Sequence, residues 1–271
     1  MRLPLLLEPD QLLPLISDES LLIVDCSSER NYLQGHIPGS VHLPPASLQS
    51  GVKPASGKLP GMEALSRLFA DLGLQDHHHV VAADDEGGGW AGRLIWTLDC
   101  IGHRHYSLLN GGNVAWLAEN YPTEHGPGTT HPSEFKVRVI DETPIARLDA
   151  ILAQLENKEL GIWDARSAEE YAGTKVLAQR GGHIPRAIHL EWTDLMDTDR
   201  NLRLLPLTQI RQMLEQRGLT PDKHIVTHCQ THHRSGLTYF VAKLLEYPRV
   251  QGYDGSWSEW GNHPSTPVAQ V

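Results

Sequence analysis

Residues 21–43 read LLIVDCSSERNYLQGHIPGSVHL, and residues 160–190 read LGIWDARSAEEYAGTKVLAQRGGHIPRAIHL. Each stretch opens with a short apolar run that closes on an aspartate, Asp25 or Asp164. Each passes through a polar segment to a tyrosine, Tyr32 or Tyr171, then reaches Gly-His-Ile-Pro and an apolar-His-Leu triplet. The second copy carries a longer insertion before its Gly-His-Ile-Pro. The match continues downstream, where HVVAADDEGGGWAGRLIWTL (79–98) parallels HIVTHCQTHHRSGLTYFVAKLL (224–245), and Asn110-Gly111 with Trp116 parallels Asp254-Gly255 with Trp260. A displacement of roughly 140–147 positions is a duplicated domain, because solenoid repeats are far shorter.

Within the second copy the patterning predicts strands over 160–164, 187–190, 224–228 and 249–253, and helices over 167–171, 208–217 and 235–246. Strands alternating with helices imply βαβ units, so each copy is expected to be an α/β domain with a mainly parallel sheet flanked by helices. Between the copies PTEHGPGTTHPSEF (122–135) lacks apolar periodicity and is rich in Pro, Gly, Thr and His, which suits an extended connection. The expected division is a first domain over 1–125, a linker over 126–143 and a second domain over 144–271.

The formal net charge of -10 argues against binding a nucleic-acid backbone, which needs clustered Lys and Arg. Three widely spaced cysteines, Cys26, Cys100 and Cys229, form neither a disulfide framework nor a zinc motif, and they suit a reducing, cytoplasmic compartment. The N-terminal MRLPLLLEPDQLLPLI is broken by Pro4, Glu8, Pro9 and Asp10, so it is expected to be an ordinary first segment. No stretch reaches the ~18–20 apolar residues of a membrane span. A self-contained duplicated chain leans toward a monomer, and no cofactor is called for.

The copies diverge where a strand ends and a helix begins, the edge at which open α/β sheets bind ligands. Copy one has Asp84-Asp85-Glu86-Gly87-Gly88-Gly89 there, whereas copy two has Cys229-Gln230-Thr231-His232-His233-Arg234, then Ser235-Gly236. A thiol becomes a nucleophile only as thiolate, and its free pKa is near 8.5. Backbone N–H groups of a curled loop, a helix N-terminus and the nearby cation Arg234 all favour that anion, with His232 and His233 adding charge when protonated. Cys229 is therefore the candidate nucleophile, and its alkylation is expected to titrate below the free thiol. The candidate binding residues for substrate and persulfide are Gln230, Thr231, His232, His233 and Arg234. The acidic loop of copy one offers no sulfur and repels anions, so that copy is expected to be silent.

The duplicated Asp strand, the Gly-His-Ile-Pro elements and the strand–Cys-loop–helix together resemble the tandem-domain rhodanese family, over nearly the whole chain. The Cys-Gln-Thr-His-His-Arg loop resembles that of a bacterial subgroup. The resemblance implies two rhodanese domains, of which only the C-terminal one is active. It also implies double displacement: Cys229 takes the outer sulfur of thiosulfate, releases sulfite, and passes the sulfur from a persulfide to cyanide or a thiol. Family members that favour thiosulfate often carry Arg-Lys after the Cys, where this chain has Gln230 and Thr231. Tandem members often carry a substrate-binding Arg where this chain has Glu170. Arg234 and the two histidines are the expected substitutes.

Several residues have structural readings. Asp164 and Asp25 are expected to cap the turns after their strands, with Arg166 pairing locally. His36 and His183, present in both copies, are expected to support a shared turn. Cys26 and Cys100 read as buried structural thiols. Trp116, Trp257 and Trp260 read as core, with Trp257 and Trp192 as candidate pocket walls. His77, His78 and His79 are consecutive and cannot face one ion from a strand, and His228, His232 and His233 match no zinc spacing, so no metal is assigned. Two other functions compete. A Cys-dependent phosphatase places more residues between Cys and Arg than the four found here, and a persulfide carrier would deliver the sulfur to a partner protein.

Overall fold

The computed structural model describes residues 3–271, which divide into two compact units. In the first, chain order gives β1 (Leu6–Leu7), α1 (Pro9–Leu12), β2 (Leu21–Asp25), α2 (Glu29–Gln34), β3 (Val41–His42), α3 (Met62–Asp71), β4 (His79–Ala83), α4 (Gly89–Cys100), β5 (Tyr106–Leu109) and α5 (Gly112–Ala118). The five strands form one sheet in the order β1-β5-β4-β2-β3, parallel at every pairing. Every residue of β4 is buried, as expected of a parallel strand covered on both faces. Ile23, Val81, Leu109, Leu12, Ile37 and Trp116 close part of its core.

The second unit repeats the plan with α6 (Leu148–Ala153), β6 (Leu160–Asp164), α7 (Ala168–Ala172) and β7 (Ile188–His189). A short antiparallel pair, β8 (Met196–Asp197) and β9 (Arg203–Leu204), comes next, followed by α8 (Leu207–Gln216), β10 (His224–His228), α9 (Arg234–Leu244), β11 (Val250–Gly252) and α10 (Ser256–Trp260). Its sheet runs β11-β10-β6-β7 and is parallel throughout. Ile162, Val226, Ile151, Tyr253, Trp257 and Trp260 fill its core. The predicted strands and helices of this copy are all present, shifted by no more than a residue or two at their ends.

The shared turns have a common physical cause. After β2 the backbone N–H of Ser27 donates to Asp25, and after β6 that of Arg166 donates to Asp164. Ser28 and Ser167 then cap α2 and α7 by accepting from the third helical N–H. His36 lies 3.9 Å from Tyr32 and His183 lies 3.8 Å from Tyr171, ring on ring, each with Nδ1 at the carbonyl of the tyrosine it covers. These histidines are the pins of the repeated turn. Cys26 and Cys100 are fully buried, and Trp116, Trp257 and Trp260 lie in the cores.

The compact units do not follow the sequence copies throughout. Residues 49–59, from the first copy, group with the second unit, and residues 196–204, from the second copy, group with the first. The stretch 126–143 contains no helix or strand, and its residues through Asp141 group with the first unit, where Ser133 Oγ donates to Leu74 and Ser66 Oγ accepts from Val137. No described helix is long and apolar enough to cross a membrane.

Candidate active site

Cys229 follows β10, and the next residues form a loop that winds into α9. Its backbone is pinned from below. The Cys229 carbonyl accepts from the Trp257 N–H at 3.0 Å, the Cys229 N–H donates to Ser256 Oγ at 3.3 Å, and the Gln230 carbonyl accepts from the Ser258 N–H at 3.0 Å. His232 takes a positive φ of 55°, a conformation of a nest of converging N–H groups rather than of a helix. Ser256 holds φ 51° where copy one places Gly112 at φ 52°, and its hydroxyl is satisfied by the Tyr253 carbonyl as well as Cys229.

The Cys229 side chain is 1% exposed. Burial alone would raise its pKa. The Arg234 guanidinium, the Ser235 hydroxyl and the N–H groups of Ser235 and Thr231 outweigh that cost and bring it below the ordinary thiol value. Arg234 opens α9 and makes a fork-to-fork pair with Glu170 at 2.6 and 2.9 Å. Burial pushes the Glu170 carboxyl up, but the hydrogen bonds and charge of Arg234 hold it below the usual carboxylate range. Below the loop Asp164 and Arg166 form a second buried pair, closest at 2.6 Å, and Arg166 stacks over Trp257 at 4.5 Å. The Nε2 of His228 lies 3.5 Å from the same aspartate, and burial holds its pKa below the ordinary histidine value.

The expected loop residues share one loop but turn to different partners, and of them only Arg234 and the Thr231 N–H act on the Cys229 sulfur. Gln230 sends its amide to the Leu177 carbonyl, and Thr231 receives the Gln49 amide on its carbonyl and hydroxyl. His232 is fully buried with Nδ1 2.7 Å from Ser235 Oγ, whereas His233 lies against Trp192 with ring centres 5.8 Å apart. Three contributors escaped the sequence reading. Glu170 was visible only as a departure from the resembled pattern; its charge, opposite to Arg234, was the available signal. Ser256 could have been found as the one side chain set where the duplicate has Gly112. The segment 49–59 carried no signal: its Gly57 approaches Thr231 so closely that a Cβ there would lie 2.3 Å from the Thr231 oxygen.

In the first unit the equivalent loop is built alike and filled differently. The Asp84 carbonyl accepts from Asn113 N–H at 2.8 Å, as that of Cys229 does from Trp257. The Asp84 carboxylate then turns back into its own loop, accepting from the N–H groups of Glu86, Gly87, Gly88 and Ala91 at 2.8–3.2 Å.

Comparison with known proteins places the fold in a family. The Rhodanese-like domain family matches residues 8–119 and 148–263. A thiosulfate sulfurtransferase of Azotobacter vinelandii is 52% identical over 98% of this chain and 97% of its own length. The sulfur carrier protein TtuD of Thermus thermophilus is 31% identical over 93% of this chain and 89% of its own. The crystal structure of an anaerobic ergothioneine biosynthesis enzyme from Chlorobium limicola shares the fold, with a TM-score of 0.87 at 22% identity, covering 98% of this chain and 70% of that one. The chain belongs to the rhodanese-like family and carries two copies of its domain.

Proposed function

We propose that the protein is a thiosulfate sulfurtransferase acting through a persulfide on Cys229, in a catalytic domain over 144–271 joined by a linker to a silent domain over 1–125. The observation that carries this reading is the buried Cys229 sulfur facing Arg234, Ser235 and the N–H groups of Thr231 and Ser235. The thiolate attacks the sulfane sulfur of thiosulfate; the new S–S bond forms as the old one breaks, and sulfite leaves with the bonding pair. The N–H groups then hold the persulfide anion as an oxyanion hole holds an alkoxide. Cyanide or a thiolate attacks the outer sulfur, takes it, and returns the electron pair to Cys229. Gln230 and Thr231 keep the loop in register, His233 and Trp192 line it, His232 braces Ser235, and Arg234 supplies the positive charge. The unbridged thiols suit a reducing, cytoplasmic compartment, and the self-contained duplicated chain suits a monomer.

Formation of thiocyanate from thiosulfate and cyanide tests the reading: the wild type turns over and Cys229→Ala does not. Equal turnover in both would overturn it. The likeness to a sulfur carrier favours a second reading, in which Cys229 loads from the donor and passes its sulfur to a protein. Fast loading with slow cyanide turnover would select it. A phosphatase reading fares worse, since Glu170 already occupies the guanidinium fork that would clasp a phosphate.

A further inference from the structure

The charges around the sulfur cancel in pairs. Arg166 is matched by Asp164, and both are buried to within 1%. Arg234 is matched by Glu170, itself 2% exposed and held additionally by the Ser167 N–H at 3.4 Å through the capping box of α7. Both terminal nitrogens of Arg234 donate to that carboxylate, so its positive charge is shared between Glu170 and the sulfur. Once Cys229 ionises, these five groups sum to one negative charge. A donor bearing two negative charges meets repulsion there, and a donor bearing one meets less.

We propose that Glu170 is a specificity-determining residue that biases the pocket toward sulfane-sulfur donors carrying a single negative charge, such as alkyl thiosulfonates and small persulfides, over dianionic thiosulfate. This rests on the sulfurtransferase reading and names its preferred substrate class. The chemistry is unchanged: the Cys229 thiolate attacks the terminal sulfur of a thiosulfonate, the S–S bond forms, the donor bond breaks, and a sulfinate leaves with the electron pair. Glu170 contacts neither donor nor sulfur in that step; it acts through Arg234 as a positioning and charge-balancing residue.

The test measures KM and kcat for thiosulfate and for methanethiosulfonate, a monoanion delivering the same sulfur, in wild type, Glu170→Gln and Glu170→Asp. Removing one charge a few ångströms away should favour the dianion over the monoanion by about fivefold. Glu170→Gln is therefore expected to lower the thiosulfate KM about fivefold more than the methanethiosulfonate KM, with kcat for the two donors moving in parallel. Glu170→Asp, which keeps the charge, should hold the wild-type ratio. An unshifted ratio in Glu170→Gln, even with both KM values raised, would overturn the proposal and leave Glu170 as a structural prop. Should that variant not fold, Glu170→Met, of similar length and no charge, must give the same ratio shift. If wild type loads sulfur from neither donor, the sulfurtransferase reading itself fails; if it loads from both and the ratio stays fixed, only the role of Glu170 fails.

Discussion

The loops at Asp84 and Cys229 are two versions of one object. Both follow the second strand of a parallel βαβ unit, both lead into a buried helix, and in both the first loop carbonyl is held by an N–H after the last strand. Each offers converging backbone N–H groups to an anion at its first position. Copy one fills the nest with the carboxylate of Asp84, permanently attached and 0% exposed. Copy two offers it to the Cys229 sulfur, which in the proposed mechanism gains and loses a second sulfur. The backbone defines an anion cradle in both copies, and on the proposed reading the residue at its first position decides between a structural plug and a catalytic centre.

Substituting the two equivalent positions sharpens that contrast most. Cys229→Ser should reduce thiocyanate formation on the order of 10³-fold or more, as expected when a nucleophile is lost. Asp84→Asn should leave turnover within about twofold while lowering unfolding stability by about 1–3 kcal/mol, because the amide cannot accept all four N–H groups. Chemical denaturation and turnover assays on the same samples read both effects, and loss of activity in Asp84→Asn would break the comparison.

Next in size is Arg234→Ala. Its guanidinium lowers the Cys229 pKa, so the thiolate is populated above a midpoint that lies under the ordinary thiol value. Without it the midpoint of the pH profile for iodoacetamide alkylation should move up, and kcat/KM for thiosulfate should fall about 10–100-fold, since Glu170 is also left buried and unpaired. An unmoved midpoint would remove Arg234 from the account.

Two glycines, Gly57 against the Cys229 loop and Gly87 within the Asp84 loop, give a smaller, paired effect. Gly57→Ala pushes a Cβ onto the Thr231 carbonyl, and Gly87→Ala, at φ 97°, pushes one onto Met196 Sδ. Each should cost about 1–3 kcal/mol of stability, Gly57→Ala by overpacking against backbone and Gly87→Ala by the left-handed φ, since the end of the Met196 side chain can give way. Only Gly57→Ala should also slow sulfur transfer, by about tenfold, because it displaces the catalytic loop. Turnover of the two variants at matched folded fraction checks this.

The smallest effect is in the pH dependence of stability. Burial, with Glu86 adding to it, pushes the Asp84 carboxyl up from 3.8 to about 6, against the hydrogen bonds that lower it. An acid whose pKa is raised by folding stabilises the protein fully below its unfolded pKa, and that contribution is lost as pH rises from about 4 to about 6. Thermal unfolding of wild type should show this loss between those pH values, and Asp84→Asn should lack it.

Much of this was legible in the sequence. The repeated Asp strand, Tyr and Gly-His-Ile-Pro specified two parallel α/β units because each residue serves a local turn: Asp25 and Asp164 cap, and His36 and His183 stack on their tyrosines. The loop between β10 and α9 was legible for the same reason, being contiguous. The Glu170–Arg234 pair spans 64 positions, and the seating of residues 49–59 against Thr231 spans far more. Such contacts depend on tertiary packing, to which local periodicity is blind. Nor did the charges of Asp84, Asp85 and Glu86 disclose that the first would fold back into its own loop; they read only as repulsion, whereas the Asp84 carboxylate is itself the bound anion.

The most direct test of the central claim is intact mass spectrometry of wild type and Cys229→Ala after thiosulfate and again after cyanide, with peptide mapping of the loaded protein. The account predicts that wild type gains one sulfur atom, that it maps to Cys229 and to neither Cys26 nor Cys100, that cyanide removes it, and that Cys229→Ala gains none. Sulfur on Cys26 or Cys100, or an equal gain in Cys229→Ala, would contradict it.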